Sequence, residues 1–210
     1  MLKKLYEILS LPEFTNFKEQ ENKTMIDIGC DRCALLLHMY HEKLGIKKYY
    51  ALDKTLIDKD ESYIHKMLFD EYIYVTGGGE MKQLREELYP VVNSQFNFYR
   101  LDLEKEIENE IGDENYDLIV FSNILHLLSK ERAKEIINYF CSKLSNNGIV
   151  YIKIANENHK GWEMGKENYS GPKWGLTHNE LVDITPPHIE LYQDNGEGNR
   201  QILFNLKHST

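Results

Sequence analysis

Apolar positions along the chain alternate between two periods, one suited to strands and one to helices. TMIDI (24–28) is a short, mostly apolar run that predicts a strand. CALLLHMYHEKL (33–44) puts Leu36, Met39, Tyr40 and Leu44 on one helical face, with Gly45 placed as the C-terminal stop. KKYYAL (47–52) predicts a strand ending at Asp53, and residues 60–72 predict a helix through Ile64, Met67 and Leu68. FNFYRL (96–101) is strand-like and ends at Asp102, while YDLIVFS (116–122) is the clearest buried strand. Ser129 can cap a helix on which Ala133, Ile136, Ile137, Phe140 and Leu144 fall at helical spacing. NNG (146–148) should end that helix, and IVYIKIA (149–155) predicts another strand. Strands and helices in alternation imply a parallel sheet covered by helices on both faces.

The two ends of the chain depart from this rhythm. At the start, Leu2, Leu5, Ile8 and Leu9 share a helical face, so residues 1–22 read as a helical extension. Near the end, LTHNEL (176–181) is a capping box in which Thr177 caps, Glu180 reaches back and Leu176 can staple onto Leu181. HIELYQ and RQILFNLKH then flank the turn-rich DNGEGN, which predicts an antiparallel hairpin.

At 210 residues, 41% hydrophobic and 28% charged, the chain reads as one globular domain, 1–210, with enough length to bury a real core. No apolar run is long enough for a signal peptide or a membrane span, so the expected location is cytoplasmic and no membrane partner is expected. The net charge of −9 argues against a nucleic-acid partner, because a phosphate backbone calls for clustered Lys and Arg. A small nucleotide remains compatible, since backbone amides can hold it. Cys30, Cys33 and Cys141 are too few and too odd in number for a disulfide framework. Cys30 and Cys33 form a C-x-x-C pair, but no second pair or ligand-spaced histidines follow, so no metal is expected.

Four polar residues fall at the ends of successive predicted strands: Asp27, Asp53, Asp102 and Ser122. In a doubly wound sheet that edge is where ligands bind. One such residue alone is commonplace, because Asp often closes a turn. Gly29 lets the backbone approach a ligand closely, and the helix that follows supplies free amides. Asp53 lies near the roughly 20-residue spacing after the glycine loop that suits a carboxylate bonding ribose hydroxyls.

With these residues in place, the chain resembles the class I S-adenosylmethionine-dependent methyltransferases. IDIGCDRC matches their D-x-G-x-G-x-G loop at Asp27 and Gly29, YALDKT the second-strand acid and YRLDLEK the third-strand acid. YDLIVFSNILHLL matches the fourth-strand segment, and KLSNNGIVYIKIA the helix, glycine turn and fifth strand. The resemblance covers about residues 24–155 and implies an α/β, Rossmann-like doubly wound sheet, mostly parallel and seven-stranded, with an antiparallel C-terminal hairpin. It implies S-adenosylmethionine as cofactor and a small-molecule acceptor as substrate. Asp53, followed by Lys54, would hold the ribose, and Asp102 with Leu103 the adenine. Gly29 and Cys30, with Phe121 and Ser122, would cradle the methionine part, and Asp27 and Asp31 would belong to the same cofactor-binding set. The departure is Asp31 and Cys33 at the second and third glycine positions. Asp tolerates left-handed backbone better than most residues. The cofactor also has no phosphate, so the loss counts more against a nicotinamide cofactor.

Other motifs carry less. VTGGGE (75–80) lacks the G-K-[ST] ending of a phosphate loop and reads instead as part of an insertion, 75–95. His126, after the fourth strand, could face the methyl group as a catalytic residue or pack as an ordinary histidine in a helical turn. No N-P-P-Y motif follows that strand. The stretch 156–176 is long, dotted with glycine and aromatic, and reads as a substrate loop in which His159, Trp162, Tyr169 and Trp174 line the acceptor. Methyl transfer from a sulfonium needs alignment and exclusion of water more than acid–base help, so a missing triad does not weigh against an enzyme. The competing readings are a nicotinamide-dependent oxidoreductase, a nucleic-acid methyltransferase, and a silent methyltransferase-like domain that binds a protein partner.

Overall fold

The computed structural model describes residues 3–56, 68–74, 77, 90, 94–105, 111–159 and 177–207. The mixed seven-stranded sheet has the order β3-β2-β1-β4-β5-β7-β6, with β1 Lys23–Ile28, β2 Ile46–Leu52, β3 Phe96–Tyr99, β4 Tyr116–Ser122, β5 Leu144–Ala155, β6 His188–Asn195 and β7 Asn199–Leu206. That order, with the terminal hairpin antiparallel, is the α/β architecture the alternating pattern predicts. The chain forms two compact units, residues 5–102 and residues 103–210 with residues 1–4.

In the unit of residues 5–102, β1 pairs parallel with β2 and β2 with β3, in a register that sets Asp27 beside Ala51 and Leu52 beside Tyr99. Tyr49 stacks on Phe96 at 4.7 Å between ring centroids and Tyr50 on Tyr99 at 5.8 Å, so cross-strand aromatic pairs reinforce the ladder. The N-terminal extension is not one continuous helix. Its first helix, α1, covers only Leu5–Ile8, because Pro12 disfavours helical backbone at Leu11, which is extended at φ −69° and ψ 154°. A 3-10 turn at Pro12–Phe14 leads into α2, Thr15–Glu19. Leu5, Ile8 and Leu9 are buried all the same, so the apolar face survives the break.

Lys23 fixes this extension to the sheet. It is only 1% exposed, and its Nζ donates to the carbonyl oxygens of Phe17 at 2.9 Å, Lys18 at 3.1 Å and Gln20. These carbonyls lie at and just beyond the end of α2, where few backbone donors remain, and that of Phe17 also accepts from the Gln20 amide at 3.3 Å. Gly45, at φ +73°, lies against the same group: a Cβ there would stand 2.9 Å from the Lys23 Nζ. After β1 comes α3, Ala34–His41, shorter than the predicted 33–44. Left-handed backbone at Cys33 (φ 59°) and Lys43 (φ 50°) bounds it. Of the helix predicted at 60–72, residues 68–72 are helical, and the helix runs on to 74; residues 60–67 lie outside the described residues.

In the other unit, β4 pairs parallel with β5, β5 antiparallel with β7, and β7 antiparallel with β6. Ser129 caps α4, Lys130–Cys141, by accepting from the Arg132 amide. Ala133, Ile136, Ile137 and Phe140 are buried along it, but Leu144 lies beyond its end and opens β5. Leu144 pairs with Tyr116, and the register slips before Leu118, so Asn146–Gly148 bulge within the strand's span and do not form the predicted turn. The capping box is present at α5, His178–Ile184, and its Glu180 also pairs with Lys130 of α4. Among the described residues no helix is long and apolar enough to cross a membrane.

Candidate functional site

In the unit of residues 5–102 the polar side chains gather at the carboxyl ends of the strands. The chain leaves β1 at Ile28 and turns through residues 29–33 into α3. Gly29 has φ 76°, and the amides of Gly29 and Cys30 both donate to the Leu52 carbonyl, at 2.7 and 3.2 Å. The loop is thereby tied to the end of β2. Asp31 (φ 46°) and Cys33 (φ 59°) also have left-handed backbone. The two positions that lack the expected glycines therefore keep a backbone that glycine adopts freely and other residues adopt at some cost.

Asp53 follows β2 directly. Its Oδ2 accepts from the Asp31 amide at 2.9 Å, and its own amide donates to the Tyr99 carbonyl of β3 at 3.2 Å. Asp53 is half-buried, Lys54 is exposed at the start of a 3-10 turn, and Asp102 is half-buried after β3. Asp27, the residue before Ile28 in β1, is 2% exposed and its Oδ1 has no hydrogen-bond partner. Burial first, and then the Asp53 carboxylate, pushes the Asp27 pKa up to about 7. Cys30 and Cys33 are buried free thiols with their sulfurs 3.6 Å apart.

The unit of residues 103–210 contributes a second group. Leu103 is buried, and its carbonyl accepts from the Arg132 Nε at 2.7 Å. At the end of β4, the Phe121 side chain belongs to the core, edge-on to Phe140 at 6.0 Å, and Ser122 is half-buried. Asn123, at φ 60°, donates its amide to the Lys153 carbonyl at 2.7 Å. His126 sits in the 3-10 turn Leu125–Leu127, buried, with its Nδ1 accepting from the Ala155 amide at 3.3 Å. Burial, helped by nearby His159, lowers its pKa to about 4. The ring is therefore neutral at pH 7, and with Nδ1 occupied its free nitrogen, Nε2, carries the proton and donates.

Beyond β5, Asn156 joins the strand to the β6–β7 turn. It is 0% exposed; its Nδ2 donates to Asn195 Oδ1 and to the Gly196 carbonyl, both at 2.9 Å, and its Oδ1 accepts from the Asn158 amide at 3.0 Å. His159 follows, half-buried, with its Cα 3.4 Å from where a Cβ on Gly198 would stand. Arg200 of β7 is 5% exposed; its Nη2 faces Glu157 Oε2 at 3.6 Å, while Nε and Nη1 have no hydrogen-bond partner. Asn156 and Arg200 carry no sequence signal, because only the pairing of β5 with β7 brings them to this edge. Trp162, Tyr169 and Trp174, expected on the substrate loop, lie outside the described residues.

No family model and no curated protein matches the chain. Solved structures do. An O-methyltransferase family protein from Burkholderia thailandensis superposes with a TM-score of 0.60 at 11% identity, covering 98% of this chain and 56% of that one. An O-methyltransferase family 2 protein from Planctomyces limnophilus, in complex with apigenin, gives 0.61 at 10% identity, covering 96% and 55%. Magnesium protoporphyrin IX methyltransferase from Synechocystis, with bound S-adenosylhomocysteine, gives 0.55 at 12% identity, covering 89% and 75%. The chain thus spans little more than half the length of the first two. At these identities the likeness is one of architecture, and the architecture is the fold of class I S-adenosylmethionine-dependent methyltransferases.

Proposed function

We propose that the protein is an S-adenosylmethionine-dependent methyltransferase acting on a small-molecule acceptor. The observation that carries this reading is the loop at residues 29–33. It keeps left-handed backbone at Gly29, Asp31 and Cys33, and its Asp31 amide is bonded to the acid that follows β2. The residues suit the cofactor's chemistry: Asp27 is a buried carboxylate with an unmatched oxygen, and the cofactor carries an ammonium and a sulfonium. Asp53 would hold the ribose, Asp102 and Leu103 the adenine, and Asp27, Gly29, Cys30 and the backbone at Phe121 and Ser122 the methionine part. When bound, the cofactor supplies a methyl group already activated on sulfur. The protein's own task is then to align the acceptor and keep water out. His126, as a neutral donor through Nε2, can orient an acceptor oxygen. The buried guanidinium of Arg200, with two unmatched donors, suits an anionic group on the acceptor. The net charge of −9 supports a small acceptor over a nucleic acid.

A second reading, a fold that no longer binds the cofactor, draws on one observation: the Asp53 oxygen Oδ2 is already engaged by the Asp31 amide. Calorimetry and thermal shift with S-adenosylhomocysteine, with NADH as control, separate the two readings. Under the proposal the homocysteine compound binds and raises the melting temperature, as a ligand selective for the native state must, and NADH does neither. Asp53→Ala should weaken that binding at least about tenfold, the loss of one charge-assisted hydrogen bond, with little change in unliganded stability. No thermal shift at millimolar ligand would favour the silent domain.

On the acceptor side, Trp162→Ala and Trp174→Ala should each lower turnover more than they lower cofactor affinity. Steady-state rates with an identified acceptor, set beside calorimetry, test this. Unchanged turnover in both variants would move the acceptor wall elsewhere.

A further inference from the structure

The two thiols at the entrance to α3 face each other closely across a tight turn. The Cys33 amide donates to the Cys30 carbonyl at 2.8 Å, closing a tight turn through Asp31 and Arg32. The sulfurs face each other across it at 3.6 Å, and Cys30 is 7% exposed where Cys33 is 0%. A disulfide needs its sulfurs about 2.05 Å apart, so the pair would have to close by about 1.5 Å. The third cysteine, Cys141, is buried on α4.

We propose that Cys30 and Cys33 are a reversible thiol–disulfide site, oxidised by hydroperoxides, that weakens cofactor binding when closed. The part concerning the cofactor rests on the function proposed above; the disulfide itself does not. With hydrogen peroxide, Cys30, the more exposed thiol, gives up its proton and its sulfur attacks one peroxide oxygen. The O–O bond breaks, the departing hydroxide takes up a proton as water, and Cys30 becomes a sulfenic acid. The Cys33 sulfur then attacks the Cys30 sulfur, the S–O bond breaks, and a second water leaves with the Cys33 proton. Two thiols have lost two electrons and two protons, and one peroxide has become two waters. The hydrogen bond to Cys33, burial and the Asp27 and Asp53 carboxylates all raise the Cys30 pKa well above the ordinary thiol value, so the reaction is slow at neutral pH and faster in base. Asp31 lies in the turn between the two cysteines and holds Asp53 through its amide, so closing the pair shifts the contact that joins the loop to the ribose acid.

Trypsin reads the bond directly, because Arg32 separates the two cysteines. After treatment of the intact protein with hydrogen peroxide and blocking of free thiols, the peptides 24–32 and 33–43 should stay joined and should separate with dithiothreitol. Cys33→Ser should never give the joined pair. Calorimetry on the same samples should show S-adenosylhomocysteine binding at least about fivefold weaker after oxidation, with recovery on reduction. Peptides that never join, or oxidation that stops at a sulfinic acid on Cys30, would overturn the site. Joined peptides with unchanged affinity would overturn its effect on the cofactor. Joined peptides in a protein that binds no S-adenosylhomocysteine even when reduced would uphold the disulfide and count against the methyltransferase reading instead.

Discussion

Asp27→Asn is expected to stabilise the unliganded protein by up to about 4 kcal/mol at pH 8, and by almost nothing at pH 3 to 4. The figure is the shift from an ordinary carboxylate value of 3.8 to about 7, taken at 1.36 kcal/mol per unit. The native state holds a proton on Asp27 between those two values, where the unfolded chain has released it. Wild-type stability therefore falls as pH rises from about 4 to 7 and carries the full penalty above 7. Asparagine has nearly the same shape and no charge to bury, so its curve lacks this fall. Urea unfolding of both proteins between pH 4 and 8 measures it, and parallel curves would mean that the carboxylate is not desolvated. Binding should respond in the opposite sense. Under the proposed function, wild-type affinity for the cationic S-adenosylmethionine should rise as pH passes through about 7, and the asparagine variant should show no such rise.

Lys23→Met is expected to destabilise the protein by at least about 3 kcal/mol. Methionine keeps the length of the side chain but removes the donor shared by the carbonyls of Phe17, Lys18 and Gln20. Hydrogen bonds from a charged donor are worth about 1.5–3 kcal/mol each; the Phe17 carbonyl keeps the Gln20 amide, and water can reach the part-buried carbonyls of Lys18 and Gln20 once the ammonium is gone. The cation lies 5.0 Å from the centre of the Phe17 ring, a further favourable contact that is lost. Chemical denaturation at 25 °C reads the change, with residues 5–20 expected to lose amide protection first. A loss below 1 kcal/mol would show that the extension is held by its buried apolar side chains, Leu5, Ile8, Leu9, Phe14 and Phe17, without help from the ammonium.

What the sequence made legible follows from where the physics is local. β4 was readable because YDLIVFS is buried at five of its seven positions, and α5 because Thr177 and Glu180 satisfy each other within four residues. The early break after α1 was readable in principle from Pro12, but the apolar spacing of Leu5, Ile8 and Leu9 masked it. The start of β5 was not legible, because NNG marks a turn locally and only pairing with Tyr116 makes Leu144 a strand residue. Lys23 and Arg200 were illegible for the same reason. A charged residue on a strand is ordinarily solvated, and nothing near it in sequence says that distant chain will bury it. For the candidate site, the acids at strand ends stood out in the sequence, whereas the unmatched oxygen of Asp27 and the 3.6 Å sulfur contact did not.

The backbone at Asp31 and Cys33 separates the shape of this loop from the residues that make it. Glycine adopts left-handed backbone freely, whereas other residues adopt it at a cost of roughly 1–2 kcal/mol each. At these positions φ is 46° and 59°, values at home in a glycine loop. Here the signature is written in the shape of the main chain and only partly in its letters. A loop of this kind is better recognised by the turn it makes than by the residues that make it.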